Sequence, residues 1–462
     1  MKKFAASFKA GFLSILLWSI ISAAYFGTGS ITVAGEAGAK YGLMLMWTVT
    51  YSTLACLLLQ EAAARLSIVS GRSLGEALVI EFEDSATKSL IYFMIFSAIV
   101  VGCAAYQSGN VMGTVAGAKL VVNTFSPTIA QNPTAPLFLG LSLHQLCVIL
   151  SGLLAFVFLN IPSLKKIANI LGISVLLMTL SFIPLAYYVK PPFWDLIKSS
   201  FVPVMPRDFS AGLTVLAMIG TTIVPYDLFL GSGVMGKAGQ TLKQMRFGLT
   251  VAVLIGGFIT AAILVVGTRL TGSFSFDAMA RTIEGLMGVE AKYLFGFGTF
   301  MAGFATMITA PIAGALTAQS LFSPYNKEKW KTQGRYFKAT WISILMSGII
   351  FGFFNVKPEA AIIVAQALNG LILPFIAIFL LFVINNRRVM GDKINSWFSN
   401  ILMALSVCVT LIVGMETVTE NIGRIWENAK GMGVTLFTII TILSVLATLY
   451  IIYKIYLKRK QE

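Results

Sequence analysis

Ile219-Gly220-Thr221-Thr222-Ile223-Val224-Pro225-Tyr226-Asp227 sets a proline and a carboxylate inside an apolar run, and Ala24-Tyr25-Phe26-Gly27-Thr28-Gly29-Ser30-Ile31-Thr32 interrupts another with two glycines and three hydroxyls. Pro225 lacks a backbone donor and its ring collides with the preceding turn, which predicts a helix break near Thr221–Val224. In the other stretch, glycine loses backbone entropy on ordering, while Ser and Thr compete for the backbone's hydrogen bonds. Non-helical backbone at membrane depth is tolerated only where protein or a cavity covers it. The two interruptions stand about 195 residues apart. Either one alone reads as packing glycines or an ordinary proline kink. A pair at corresponding places in two halves marks the binding site of a transporter built from inverted repeats.

The rest of the chain supplies the membrane. Of 462 residues, 57% are hydrophobic and only 11% are charged, against about 25% charged in soluble domains. Residues 12–26, 43–59, 137–159, 167–189, 248–268, 337–354, 371–384 and 433–453 are nearly free of charge. Crossing about 30 Å of hydrocarbon takes about 20 such residues in a helix. About 12 spans result, and the period-two alternation of a membrane β-barrel is absent. The expected fold class is an all-α polytopic membrane protein.

The net charge of +15 raises the question of a nucleic-acid partner, and its distribution answers it. With the N-terminus inside, alternate loops hold 23 of the 34 Lys and Arg residues, from Lys2, Lys3 and Lys9 through Lys237 to Lys454, Lys458, Arg459 and Lys460. That asymmetry orients a membrane protein. It predicts a multi-pass protein of the cytoplasmic membrane, in contact with lipid, with both termini cytoplasmic and no nucleic-acid partner. The first apolar stretch holds Trp18, lacks a small-residue cleavage site and runs into the Gly27 interruption, so it is expected to be a span and not a signal peptide. Cys56, Cys103, Cys147 and Cys408 stand alone in apolar segments and are expected as small buried hydrophobes.

No soluble domain is evident. The longest polar stretches are loops, 323–338 on the inside and 190–208 on the outside. The breaks in spans 1 and 6 predict two inverted five-span repeats, residues 1–190 and 191–390, followed by two additional helices in 391–462.

Three stretches resemble the Nramp (natural resistance-associated macrophage protein) family. They are Ala37-Gly38-Ala39-Lys40-Tyr41-Gly42 with Leu45, Met46 and Trp47; the run Leu58 to Arg72 with Leu74 and Glu76; and Ala365-Gln366, Leu373-Pro374-Phe375 and Arg387-Arg388-Val389-Met390-Gly391. The similarity runs in order over most of spans 1–11. It implies the LeuT-type inverted-repeat (5+5) fold and secondary transport, by symport, of a divalent metal cation. The pattern departs from the family at both breaks. Where the family usually has Asp-Pro-Gly-Asn, this chain has Gly27-Thr28-Gly29-Ser30, and where it has Met-Pro-His, this chain has Val224-Pro225-Tyr226. Gly231 stands in place of a second histidine. A carboxylate, a thioether and two imidazoles are therefore replaced together, and transport of Mn²⁺ or Fe²⁺ by the usual ligands does not follow.

What remains to carry chemistry centres on Asp227. An aspartate at the centre of a span costs about 2.5–3.5 kcal/mol on insertion scales, so a functional role with a polar partner is the default. It could hold a cation or carry coupling, or it could cap the half-helix that begins after Pro225. Thr28, Ser30, Thr221 and Thr222, with carbonyls freed at both breaks, add hard oxygen donors that suit Mg²⁺, Ca²⁺ or Na⁺ better than softer metals. Asp227, Thr28 and Ser30 are the candidate metal ligands. Gly27, Val224 and Tyr226 shape the same place, and Gln366, one turn from Asn369, either faces it or bonds between helices. The same half-helix ends could instead receive an anionic group. Among candidate coupling or gating residues, Glu36 lines an access path or merely meets solvent, and Glu61 pairs with Arg65 at i, i+4. Gln107, Asn110 and the single histidine, His144, read as structural. Nucleotide-binding and catalytic motifs are absent, so an enzyme is not expected and no cofactor is implied. The expectation is a secondary transporter for a divalent cation working by alternating access. The alternatives are a carrier of a small organic or anionic solute on the same fold, and a non-transporting membrane sensor.

Overall fold

The computed structural model describes residues 18, 20–125, 137–138, 140–161, 163–206, 209–235, 239–354, 357–425 and 433–461. Lys2, Lys3, Lys9, Lys237 and the start of span 1 lie outside them. Among the described residues, ten helices are long and apolar enough to cross a membrane: residues 46–70, 88–123, 169–189, 210–234 with its internal break, 242–267, 289–322, 335–353, 358–384, 397–419 and 436–460. The shorter apolar helix Leu143–Leu159 is span 4. Span 1 is helical over residues 20–25 and again over Thr28–Tyr41. With these two, the described residues account for the expected 12.

Local chemistry sets the ends. Span 2 (Met46–Ser70) stops at Gly71, whose φ of 69° is the left-handed cap that closes many helices. Spans 4 and 7 (Leu242–Gly267) each begin with a capping box, Ser142 with Gln145 and Thr241 with Gln244, which satisfies backbone donors at the helix start.

Spans 3 (Lys88–Phe125) and 8 (Val289–Phe322) form the most extensive helix pair, and span 9 (Arg335–Phe353) packs on both. Spans 1, 2, 6 and 7 form a second group, in which span 1 packs on span 7 and the second half of span 6 on span 2. Adding five to a span number carries many contacts into others that also exist. With the count returning to 1 after 10, span 1 on 7 becomes span 6 (residues 209–235) on 2, span 3 on 4 becomes 8 on 9, and span 5 (Leu164–Val189) on 8 becomes span 10 on 3. Spans 11 (Trp397–Ile425) and 12 (Gly433–Gln461) pack on each other, with span 11 also against span 10 (Pro358–Ile384).

Small residues allow the close crossings that membrane helices rely on. A Cβ on Gly117 of span 3 would lie 2.3 Å from the backbone nitrogen of Phe300 in span 8, and one on Gly38 of span 1 would lie 2.2 Å from the Leu264 carbonyl oxygen in span 7. His144 ties span 4 to span 9 through the Gly352 carbonyl at 2.7 Å, a structural use. All four cysteines are free, and all but the partly covered Cys147 are buried.

Candidate functional site at the two helix breaks

Both interruptions are real. Span 1 loses helical geometry at Phe26 and Gly27 and resumes at Thr28, slightly earlier than the Gly27–Ser30 stretch suggests. Span 6 ends its first half, Phe209–Thr222, and restarts at Pro225. The proline occupies the first helical position, where its missing N–H costs nothing.

Hydroxyls stitch the breaks together. Ser30 Oγ lies 2.9 Å from the Tyr25 carbonyl oxygen, to which it donates, and 3.1 Å from Thr221 Oγ1. Thr28 donates to the Gly109 carbonyl of span 3 at 3.2 Å, and Thr222 donates to Met218 within its own helix. Thr28 and Ser30, expected as ligands, thus spend their protons on backbone carbonyls, which leaves only lone pairs for an ion. Gly27 and Gly29 admit neighbours that no side chain would. A Cβ on Gly27 would come to 3.2 Å from the Tyr106 hydroxyl, and one on Gly29 to 2.0 Å from Gln366 Nε2. Gln366 therefore faces the span 1 break, as one of its two readings requires.

Asp227 sits beside this junction, 1% exposed. Neither carboxylate oxygen has a hydrogen-bond partner, so the capping alternative does not hold: the side chain does not accept from the amides of its own first turn. Tyr25, Cys56, Cys103, Tyr106 and Tyr226 all lie close enough to feel its charge. Tyr106 and Tyr226 meet edge to face with ring centroids 5.5 Å apart, and their hydroxyls approach each other and Gln366 without forming a well-aligned hydrogen bond. Gln366 Oε1 and Asn369 Nδ2 are unpartnered too. Each such buried polar group costs about 1–3 kcal/mol. Several such groups close together are a standing cost that a polar occupant would relieve. An unpaired carboxylate at the centre of the cluster repels an anion and attracts a cation.

Tyr106 was not evident from sequence, because it is one aromatic in a long apolar helix whose facing is decided by packing. Gln60 was also missed. A Cβ on Gly231 would lie 2.8 Å from Gln60 Oε1, so a span 2 side chain fills the room beside the position where the family resemblance places a second histidine. Among the described residues, no group of three or more His, Cys, Asp and Glu is arranged to hold a metal. An ion here would rest on one carboxylate plus neutral oxygens.

The site is shut at both ends. Toward one membrane face, Glu36 accepts from the Phe274 backbone N–H at 2.7 Å and pairs with Lys40 at 2.7 Å. At 6% exposed it neither meets solvent nor lines an open path. Toward the other face, Ser22 donates to the Ala252 carbonyl, Tyr25 to Val253 at 2.5 Å, and Trp18 to Gln240 at 3.1 Å. Two clefts, of about 1020 and 410 Å³, open nearer the membrane face, and Asp227 lines neither. Glu61 and Arg65 pair as expected, at 3.2 Å, but Glu61 also binds Arg246 of span 7 at 2.8 Å, while Arg65 reaches the Lys393 carbonyl and Asn395. Gln107 donates to the Met307 carbonyl and Asn110 to Gln107, a structural bridge from span 3 to span 8.

The profile of the family described as natural resistance-associated macrophage protein-like matches residues 19–420. The chain belongs to the Nramp family. Among curated Nramp relatives, a protein of Klebsiella pneumoniae subsp. pneumoniae named divalent metal cation transporter MntH is 23% identical over 413 residues, covering 86% of this chain and 92% of its own. The protein of the same name from Klebsiella pneumoniae strain 342 is 23% identical over 385 residues, 80% and 85% of the two chains. The fold matches the crystal structure of the Eremococcus coleocola manganese transporter, with a TM-score of 0.69 at 16% identity over 98% of this chain and 96% of that one. It also matches Mhp1, a nucleobase-cation-symport-1 family transporter, with a TM-score of 0.56 at 13% identity over 96% and 93%. This Nramp-family chain therefore has the 5+5 LeuT-type architecture expected for it.

Proposed function

We propose that this chain is a membrane transporter of divalent metal cations that binds its ion where spans 1 and 6 break, with Asp227 as the one anionic ligand. The observation that carries the reading is the carboxylate of Asp227, buried and without a partner beside both breaks. Family membership supports the substrate class. Gln366, Tyr226, Tyr106 and the lone pairs of Thr28 and Ser30 supply neutral oxygens, and the carbonyls freed at the breaks supply more. An all-oxygen set with one charge suits Mg²⁺, Ca²⁺ or Mn²⁺, with part of the water shell kept, better than softer transition metals.

Enclosure at both ends supports alternating access: the ion reaches Asp227 only when the Glu36 side or the Trp18 side opens. Residues 1–190 and 191–390 act as the inverted repeats and 391–462 as an appended pair. The protein resides in the cytoplasmic membrane with both termini cytoplasmic, as the Lys and Arg distribution supports. Without a carboxylate in the span 1 break, coupling to protons of the familiar kind is weak or missing.

The test is uptake into proteoliposomes carrying a divalent-cation dye, wild type beside Asp227→Asn, which keeps the shape and removes the charge. Saturable Mg²⁺ or Mn²⁺ uptake that the substitution abolishes supports the proposal. Equal uptake by both proteins, or none by either with the protein folded, refutes it.

A further inference from the structure

We infer that the cleft between spans 2, 7 and 11 holds one anionic phospholipid, its phosphate at Arg246 and Lys393 and an acyl chain along the leucines beneath them. Spans 7 and 11 both rest on span 2 but scarcely touch each other, which leaves a groove of about 1020 Å³ floored by span 2. An ordinary lipid-facing surface is convex and lightly grooved. This one is as large as a small-molecule pocket.

The cleft is charged at one end only. Arg65, Arg246 and Lys393 stand there against Glu61 and Asp392, a local excess of one positive charge. Glu61 is fully occupied by Arg65 and Arg246. The Lys393 amine and Nη1 of Arg246 have no partner among the described residues, so two cationic groups are left facing the groove. From there the walls become apolar, with Leu58 and Leu54 on span 2 and Leu402 and Leu405 on span 11. Leu54 is 58% exposed and Leu405 56%, both toward the bilayer. The far end is closed where the Tyr51 hydroxyl donates to the Ser406 carbonyl at 3.1 Å. Tyr51 lies 14 positions before Arg65, about 21 Å along the helix. One leaflet of hydrocarbon is about 15 Å deep. Head and tail of a lipid therefore match the charged and apolar parts in length and order, and basic pockets between spans are a recurrent lipid-headgroup site.

The ligand bridges spans 2 and 7, which belong to one packing group, to span 11, which lies outside it. A lipid there would add a tie between spans 2 and 7 and the C-terminal pair.

Native mass spectrometry of the purified full chain tests this, with phosphatidylglycerol, phosphatidylcholine or soluble glycerol phosphate added at equal concentration. Retention of one phosphatidylglycerol in preference to phosphatidylcholine, with glycerol phosphate unable to displace it, is the expected result. Lys393→Gln, at an exposed position, should weaken it about five-fold, and Lys393→Gln with Arg246→Gln on the order of thirty-fold. Leu405→Trp should expel the lipid by filling the apolar track while leaving every charge in place, with the melting temperature confirming that the chain is folded. Equal retention of both lipids, unchanged affinity in Lys393→Gln, or tight binding of glycerol phosphate would each overturn the assignment, the last in favour of a soluble phosphate.

Discussion

Ser30 of span 1 and Thr221 of span 6 lie hydroxyl to hydroxyl at 3.1 Å, joining the two broken helices beside the unpartnered carboxylate of Asp227. Ser30 also holds the Tyr25 carbonyl that the break releases. One side chain therefore satisfies its own break and contacts the other. A double-mutant cycle with Ser30→Ala and Thr221→Val should give a coupling energy of about 0.5–1.5 kcal/mol, the net worth of a buried hydrogen bond. Thermal unfolding in detergent measures it, and strictly additive effects would show that the two breaks are stabilised independently.

Asp227→Asn should leave the cation-free protein as stable as wild type, or more so. A buried carboxyl group without a partner is a cost, and the amide, which has no charge to bury, replaces it at nearly constant volume. Wild type should gain about 2.7 kcal/mol at a cation concentration one hundred times its dissociation constant, and the variant nothing. A variant that melts well below wild type in chelator would indicate that the carboxylate has a structural partner.

Two glycines should separate function from stability. A Cβ on Gly29 would meet the far end of Gln366, a side chain that can swing aside, whereas one on Gly220 would lie 2.1 Å from the Gln366 carbonyl oxygen and 2.5 Å from the Gly370 nitrogen. Gly220→Ala should therefore cost about 1–3 kcal/mol or more through overpacking, and Gly29→Ala less, with a larger loss of uptake per unit of stability. Melting temperature and initial uptake rate, read on the same preparations, decide it.

Glu36 should act as the latch on its side of the membrane. Removing a charged acceptor from the Phe274 amide costs about 1.5–3 kcal/mol and favours states in which that side opens. A cysteine at Thr32, in a background without the four native cysteines, should be alkylated from that side several-fold faster when Glu36→Gln is added. No change in rate would mean that the contact is only structural.

The breaks were legible in the sequence because their causes are local. Pro225 cannot continue a helix, and Gly27 and Gly29 with their neighbouring hydroxyls weaken one, whatever surrounds them. Asp227 was legible because an acid in mid-span is rare. Glu36 was less so: its spacing of four to Lys40 signals the salt bridge, but the Phe274 amide lies 238 positions away. Tyr106 and Gln60 left no signal. Helices that meet lipid on one side and protein on the other are apolar all round and carry no polar stripe, so sequence cannot say which way one side chain points. The hydroxyls of Thr28 and Ser30 looked like ligands by type, and only tertiary structure shows their protons committed to Gly109 and Tyr25.

The most direct measurement is a calorimetric titration of Mg²⁺, with Mn²⁺ in parallel, into the purified chain and into Asp227→Asn. The account predicts saturable, one-site heat in wild type for at least one of the two ions, and none in the variant. Equal heats in both proteins, or silence in wild type with the protein folded, would contradict a cation site at Asp227.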